Sequence, residues 1–196
     1  MISPGFETTD PFTQTRFVVI QGAQETAGRG WVLEVHCPEG AAPAFLPHVH
    51  RRWTETFDII QGTAACRLGD AEPRVAAGES IIMPPNVTHL HPWNVGTGTM
   101  IYRQRNDFGA STPDAVYDVL GAFATIHGLA REGRVRKGGL PKNLFQMAAT
   151  GRAFTKHQSY DASMPVSLQV GLSATLGRIA EALGYRAVYD RYLSVR

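Results

Sequence analysis

Cysteine is scarce in this chain. Only Cys37 and Cys66 occur among 196 residues. Two thiols cannot make the framework of bridges that staples small secreted domains. Both fall in strand-like stretches, which suits buried free thiols. Charge of one sign is also lacking: the formal net charge is +2. No strong field for nucleic acid follows from that balance, and no basic helix pair is evident. No apolar run reaches about 18 residues, so no membrane-spanning helix is expected. The first residues, MISPGFETTDPF, lack a basic segment followed by an apolar core, so a secretory signal is not expected. A cytoplasmic, reducing setting is the resulting expectation. Internal repeats and low-complexity segments are absent too. With 43% hydrophobic residues, the chain can bury one sizeable core, with or without an appendage.

The chemistry-bearing residues concentrate in one stretch. PHVHRRWTETFDIIQG places His48 and His50 one residue apart, Glu55 five further on, and then Gly62. GESIIMPPNVTHLHPWN supplies Gly78, Pro84, His89, His91 and Asn94. Strand side chains alternate between faces, so His48 and His50 point the same way. Residues 51–54 are long enough to turn and reset the face, so Glu55 begins the next strand facing the same interior. Phe57 and Ile59 share its face. Pro84, Pro85 and Asn86 form a turn that delivers His89 from a distant strand. Three imidazoles and a carboxylate in this arrangement suit one divalent transition metal: Fe, Mn, Ni, Co, Cu or Zn.

These two segments resemble the two motifs of the cupin superfamily. In the first, His-x-His is followed after four residues by Glu and after six more by Gly, as at His48, His50, Glu55 and Gly62. In the second, Gly78, Pro84, His89 and Asn94 fit their positions. The chain departs from the pattern at Asn86, where glycine is usual, and before the first motif, where Gly40 is not at the usual distance. The resemblance implies a mainly β fold, a cupin double-stranded β-helix or jelly-roll barrel, with His48, His50, Glu55 and His89 as metal ligands. Four protein ligands leave one or two positions open on a five- or six-coordinate ion.

The strand pattern agrees with an antiparallel barrel. Trp31, Leu33, Val35 and Cys37 alternate with Val32, Glu34 and His36, which puts the first set inward and His36 on the surface. Further strands are expected at residues 17–21, at 56–68 with a break at Gly62, and at 74–83 as one strand kinked at Gly78. Two more are expected at 89–94 and 99–105. His91 shares the inward face of His89 and is a candidate proton carrier, outer partner or spare ligand. Tyr102 and Gln104 alternate with Arg103 and Arg105: if the charged pair faces solvent, Tyr102 and Gln104 line the cavity, Tyr102 as a catalytic candidate; the alternative is an inward Arg that binds a substrate carboxylate.

The composition then changes. Residues 1–108 read as the cupin barrel and 109–196 as a helical extension, packed on the barrel or on a partner subunit. Thr112 caps a first helix with Pro113 at its first position, carrying Val116, Leu120, Phe123 and Ile126 at helical spacing. A basic loop, 131–139, reads as a solvated helix end. A second helix is expected from Pro141 to about Lys156, with Leu144, Met147, Ala148 and Phe154 buried. A third runs from Pro165 to near Gly184 with Leu168, Leu172, Leu176, Ile179 and Leu183 as core or dimer contact. The tail, 185–196, interleaves Tyr with Arg and is expected to pack on protein rather than on a membrane.

The function the resemblance implies first is a metal-dependent oxygenase of a small enolic or diketone-like molecule bound in the barrel. A non-catalytic small-molecule binder or sensor, or a cupin isomerase, is the alternative. The extra apolar helix predicts a homodimer.

Overall fold

The computed structural model describes residues 2–193. Ser194, Val195 and Arg196, the end of the Tyr–Arg tail, lie outside the described residues. Eleven strands form two antiparallel sheets. The first sheet uses β1 (Glu7–Thr9), β2 (Arg16–Gln21), β3 (Gly30–Cys37), β5 (Thr54–Gln61), β8 (Ser80–Met83) and β10 (Met100–Asp107). Its order is β1-β2-β3-β10-β5-β8. The second uses β4 (His48–His50), β6 (Thr63–Leu68), β7 (Arg74–Ala76), β9 (His89–Asn94) and β11 (Ser159–Asp161). Its order is β11-β4-β9-β6-β7. From β3 to β10 the chain passes between the sheets at every step except β6 to β7, as in a double-stranded β-helix, and helices follow. The fold is mainly β with a C-terminal helical region.

Alternation places the core. Along β3, Trp31, Leu33, Val35 and Cys37 are buried, and along β5 so are Glu55, Phe57 and Ile59. Strand β10 buries Met100, Tyr102, Gln104 and Asn106. Its outward Arg103 and Arg105 reach Glu34 and Asp58 of the flanking strands. His36, expected on the surface, lies half-buried and bonds Glu34. The strand expected over 74–83 is instead two. Strand β7 pairs with β6 in one sheet and β8 with β5 in the other. Gly78, at φ 89°, makes the crossing, a backbone region that costs glycine little. Asn86 adopts φ 65°, the left-handed conformation that Asn tolerates in the place of glycine.

The first fifteen residues, which show no strong periodicity in sequence, include β1, paired with β2 from Glu7↔Val18 to Thr9↔Arg16. In the extension, α1 (Pro113–Arg131) starts at its proline; Thr112 precedes it without a side-chain cap bond. Helix α2 (Leu144–Lys156) starts later than Pro141, because the Asn143 side chain caps it through Gln146 N. Its buried face also differs from expectation. Leu144 and Met147 are exposed, while Gln146, Ala149, Thr150 and Ala153 are buried. The third helical stretch is a rod of α3 (Val166–Leu172), a π-helical turn (Ser173–Gly177) and α4 (Arg178–Ala182). Among the described residues no helix is long and apolar enough to cross a membrane.

One element of the extension is absent from the sequence reading. Strand β11 lies against β4 with three rungs: Ser159↔His50, Tyr160↔Val49 and Asp161↔His48. Arg51 N donates to Gln158 O at 3.0 Å and Ala162 N to Pro47 O at 3.0 Å, extending the ladder at both ends. The helical region therefore supplies an edge strand to the barrel.

Candidate metal centre

Strand β4 holds His48 and His50, β5 holds Glu55, and β9 holds His89 and His91. Their ligand atoms all lie within 4.8 Å of one another. The register explains the meeting. His48 stands directly opposite His89 in the β4–β9 pair, and the alternation of β9 puts His91 on the same face. The structure thus brings together all four residues that the motifs implied as ligands, and adds His91 to the group.

Three imidazole Nε2 atoms converge on one carboxylate oxygen. Glu55 Oε2 lies 2.9 Å from His91 Nε2, 3.1 Å from His89 Nε2 and 3.5 Å from His50 Nε2. The other oxygen, Oε1, accepts hydrogen bonds from Asn106 Nδ2 at 2.6 Å and Gln104 Nε2 at 3.0 Å. Two amides therefore hold the carboxylate in one orientation and leave Oε2 facing the histidines. The tautomers of two rings follow from carbonyl partners, which can only accept. His48 Nδ1–H donates to Leu46 O at 2.7 Å and His89 Nδ1–H to Val87 O at 2.8 Å. Each Nε2 then carries a bare lone pair, the arrangement that orients a metal-bound imidazole.

Those lone pairs are a test of fit. His89 Nε2 and both nitrogens of His50 are buried without a hydrogen-bond partner among the described residues. Buried polar atoms without partners are rare and costly. The His89 lone pair, 3.1 Å from a carboxylate oxygen, also repels it. A cation among them removes both penalties, and nitrogen-plus-carboxylate donors suit a borderline divalent ion. Burial, then the imidazoles of His91, His50 and His89, hold His48 well below the ordinary histidine range. Burial lowers His50 too, against the opposing pull of Glu55. Neutral imidazole is the form that ligates. Burial works to raise the Glu55 carboxyl, but His91 and His50 outweigh it and hold the group well below the usual carboxylate range. The residues present fit a metal ion.

The support around the ligands was only partly legible. The His50 ring stacks on Trp53, with centroids 4.0 Å apart and planes at 11°. Trp53 Nε1–H donates to His157 O at 2.9 Å, so the backing of a ligand is tied to the end of α2. His157 in turn bonds Asp118 of α1 through Nε2 at 2.6 Å. Asn106 was missed, although continuing the alternation Tyr102, Gln104 two residues further would have found it. Tyr102 is where the expectation of a cavity-lining phenol fails. Its ring is 1% exposed, sits against Phe57 and belongs to the core. Gln104 does face the cavity. Burial, then Cys37 and Glu55, raise the Tyr102 phenol well above its ordinary range, so it stays neutral. Burial likewise pushes the Cys37 thiol up to about 12.

The cluster opens into a cavity of about 510 Å³. Its floor is the barrel mouth with His48, His50, Glu55, His91 and Gln104; its roof is built by α1, α2 and the α3 rod. Phe45 stands at the junction, its ring 4.7 Å from that of His91 and 4.9 Å from that of Phe123 on α1.

A family model described as "Cupin domain" matches residues 33–102, which carry every ligand candidate. No curated protein matches the sequence. Among solved structures, an uncharacterized conserved protein with a double-stranded beta-helix domain from Klebsiella pneumoniae is 22% identical, with a TM-score of 0.41, over 48% of this chain and 77% of its own. A predicted oxalate decarboxylase from Thermotoga maritima is 12% identical, with a TM-score of 0.46, over 55% of this chain and 93% of its own. A RmlC-like cupin from Shewanella frigidimarina is 16% identical, with a TM-score of 0.43, over 53% of this chain and 84% of its own.

Proposed function

We propose, for a chain that carries a cupin domain, that it is a divalent-metal-dependent enzyme: an oxygenase acting on a mainly apolar molecule with an enolic or diketone-like head. The observation that supports this reading is the convergence of His50, His89 and His91 on Glu55 Oε2 at the floor of a roofed cavity. His48, His50, Glu55 and His89 would hold the ion. When bound, it would polarise a chelating oxygen head and support chemistry with dioxygen.

The chain's own residues do the rest. Asn106 and Gln104 fix the carboxylate, and Leu46 and Val87 carbonyls fix two imidazoles, so little reorganisation accompanies binding. Phe45, Phe57 and Phe123 around the cluster exclude water, which strengthens electrostatic interactions inside. His91 keeps Nε2 on Glu55, while its Nδ1 is buried without a partner. On this reading that nitrogen would take or give the proton at the head group. A non-catalytic binding barrel is the competing reading, favoured by the scarcity of other free titratable groups in the cavity wall. Elemental analysis of untagged protein, with oxygen uptake on a panel of 1,3-diketones and flavonols, tests the proposal. Near-stoichiometric metal with substrate-dependent uptake supports it. Metal with no uptake and tight panel binding selects the binder.

Pairing of the chain with a second copy is also proposed. Leu168, Leu172, Ile179 and Leu183 stand 41–59% exposed along the α3–α4 rod, an apolar stripe that a two-fold-related rod would cover. A monomer by light scattering at micromolar concentration would refute it.

A further inference from the structure

The helical roof changes what the site can hold. Much of the cavity wall is not barrel. It includes Val119, Leu120 and Phe123 of α1, Phe154 of α2, and Leu172 and Leu176 of the rod. A volume of about 510 Å³ is in the range of pockets that enclose a ligand of drug size. That is more room than a head group at the histidines requires.

Polar side chains do border the cavity, but the protein already engages them. The Arg152 guanidinium donates to Glu181 Oε2 at 2.9 Å and to Ser173 O at 3.2 Å. Asp10 accepts from Phe12 N at 3.0 Å and the Thr13 hydroxyl at 2.7 Å. Gln169 Nε2 donates to Asp161 O and Met164 O, and the Thr155 hydroxyl donates to Gly151 O at 2.8 Å. A ligand polar group placed under the roof would lose its water and find few free partners. At the histidines, by contrast, unpartnered nitrogens cluster.

We propose that the extension builds a tail site. The ligand is an elongated molecule with one chelating oxygen head at the histidines and an alkyl or aryl tail running past Phe45 beneath α1, α2 and the rod. This rests on the metal-centre reading for its head and on the roof alone for its tail.

Displacement of the dye 1-anilinonaphthalene-8-sulfonate by straight-chain hydroxamic acids of increasing length separates the two. The measurement uses the metal-loaded full chain and the same protein stripped with a chelator. Each methylene drawn under the roof should tighten binding about three- to fourfold, in both preparations, until the tail site is full. The loaded protein should bind the whole series more tightly by a constant factor, the contribution of the head. Leu176→Trp should bring the plateau at a shorter chain. If that variant does not fold, the slope in the parent still decides. Affinity independent of chain length overturns the tail site and leaves the metal reading standing. A normal slope with no difference between loaded and stripped protein supports the tail site and counts against the head.

Discussion

The barrel and the helical extension put their information in different places. The barrel's ligands are read from a short run of sequence, because strand alternation fixes which side chains meet. Among the described residues the extension adds nothing to the histidine–glutamate cluster, yet it holds the strand that carries His48 and His50. Strand β4 is three residues long, with a single Cα rung to β9 and three to β11. A strand that short has no independent stability. The candidate metal centre is thus divided: its ligand-type side chains belong to the barrel, its rigidity in part to the extension.

Cutting the chain tests that division most severely. A protein ending at Asp107 loses β11, the Trp53–His157 bond and the roof over Phe17, Phe45 and Leu33. It should aggregate, or stay soluble without retaining metal. A well-behaved truncated barrel with full metal would make the extension an independent appendage. The opposite cut, chemical rather than structural, is His48→Ala with His50→Ala. Metal content should fall to background by elemental analysis while circular dichroism stays near the parent. Equal metal in parent and variant would remove the centre.

How much was legible follows the same divide. Glu55, Phe57 and Ile59 declared their shared face because alternation is a local rule. His89 and His91 did so for the same reason. Asn86 could be expected to turn left-handed from its residue type. Strand β11 could not be read: Ser159-Tyr160-Asp161 is too short to show a period, and it is extended only because β4 lies beside it. Gln146 misled in the same way. A polar residue on a helix reads as solvated, but here it is 2% exposed. It donates to Arg186 O at 2.8 Å and accepts from the Tyr189 hydroxyl at 2.9 Å, partners some forty residues away. The tail that supplies them also explains two glycines of α1. A Cβ at Gly128 would fall 2.3 Å from the Tyr192 ring and one at Gly121 2.7 Å from Val188, so close helix–tail packing uses both.

His91 sharpens the comparison from the barrel side. His91→Phe should keep the metal and lose turnover by about 10²–10⁴-fold, the usual worth of a positioned proton carrier. Loss of metal instead would put His91 among the ligands, and unchanged turnover with full metal would leave it as packing. Trp53 tests the join itself. Trp53→Phe keeps a ring behind His50 but drops the hydrogen bond to His157 O, and should cost about 1 kcal/mol in denaturant unfolding. Trp53→Ala also removes the packing and should cost about 3–5 kcal/mol. Equal losses in the two variants would show that the ring contributes nothing beyond its N–H.

The last test concerns the seam between the regions, at His127. This α1 residue stacks on Phe17 of β2, with centroids 5.6 Å apart, and its Nδ1 lies 3.1 Å from the Thr8 hydroxyl of β1. Burial chiefly lowers its pKa from 6.5 to about 4, with Asp10 opposing the shift and Arg131 adding to it. In the unfolded chain the ring takes up a proton near its ordinary value. Between the two values the unfolded state binds more protons, so stability falls as pH falls through that window. Above about 6.5 both states are neutral, and below about 4 both are charged, so the dependence stops at each end. The full span amounts to roughly 3 kcal/mol. Burial also lowers His48 and His50, so the parent's curve alone cannot isolate this one. His127→Phe keeps an aromatic ring against Phe17 and removes the proton site. The stability of the parent relative to this variant should decline as pH is lowered from 6.5 to 4 and be flat outside that range. A difference that does not change across the window would mean that the seam protonates as easily as the free chain, and that solvent reaches the join between barrel and extension.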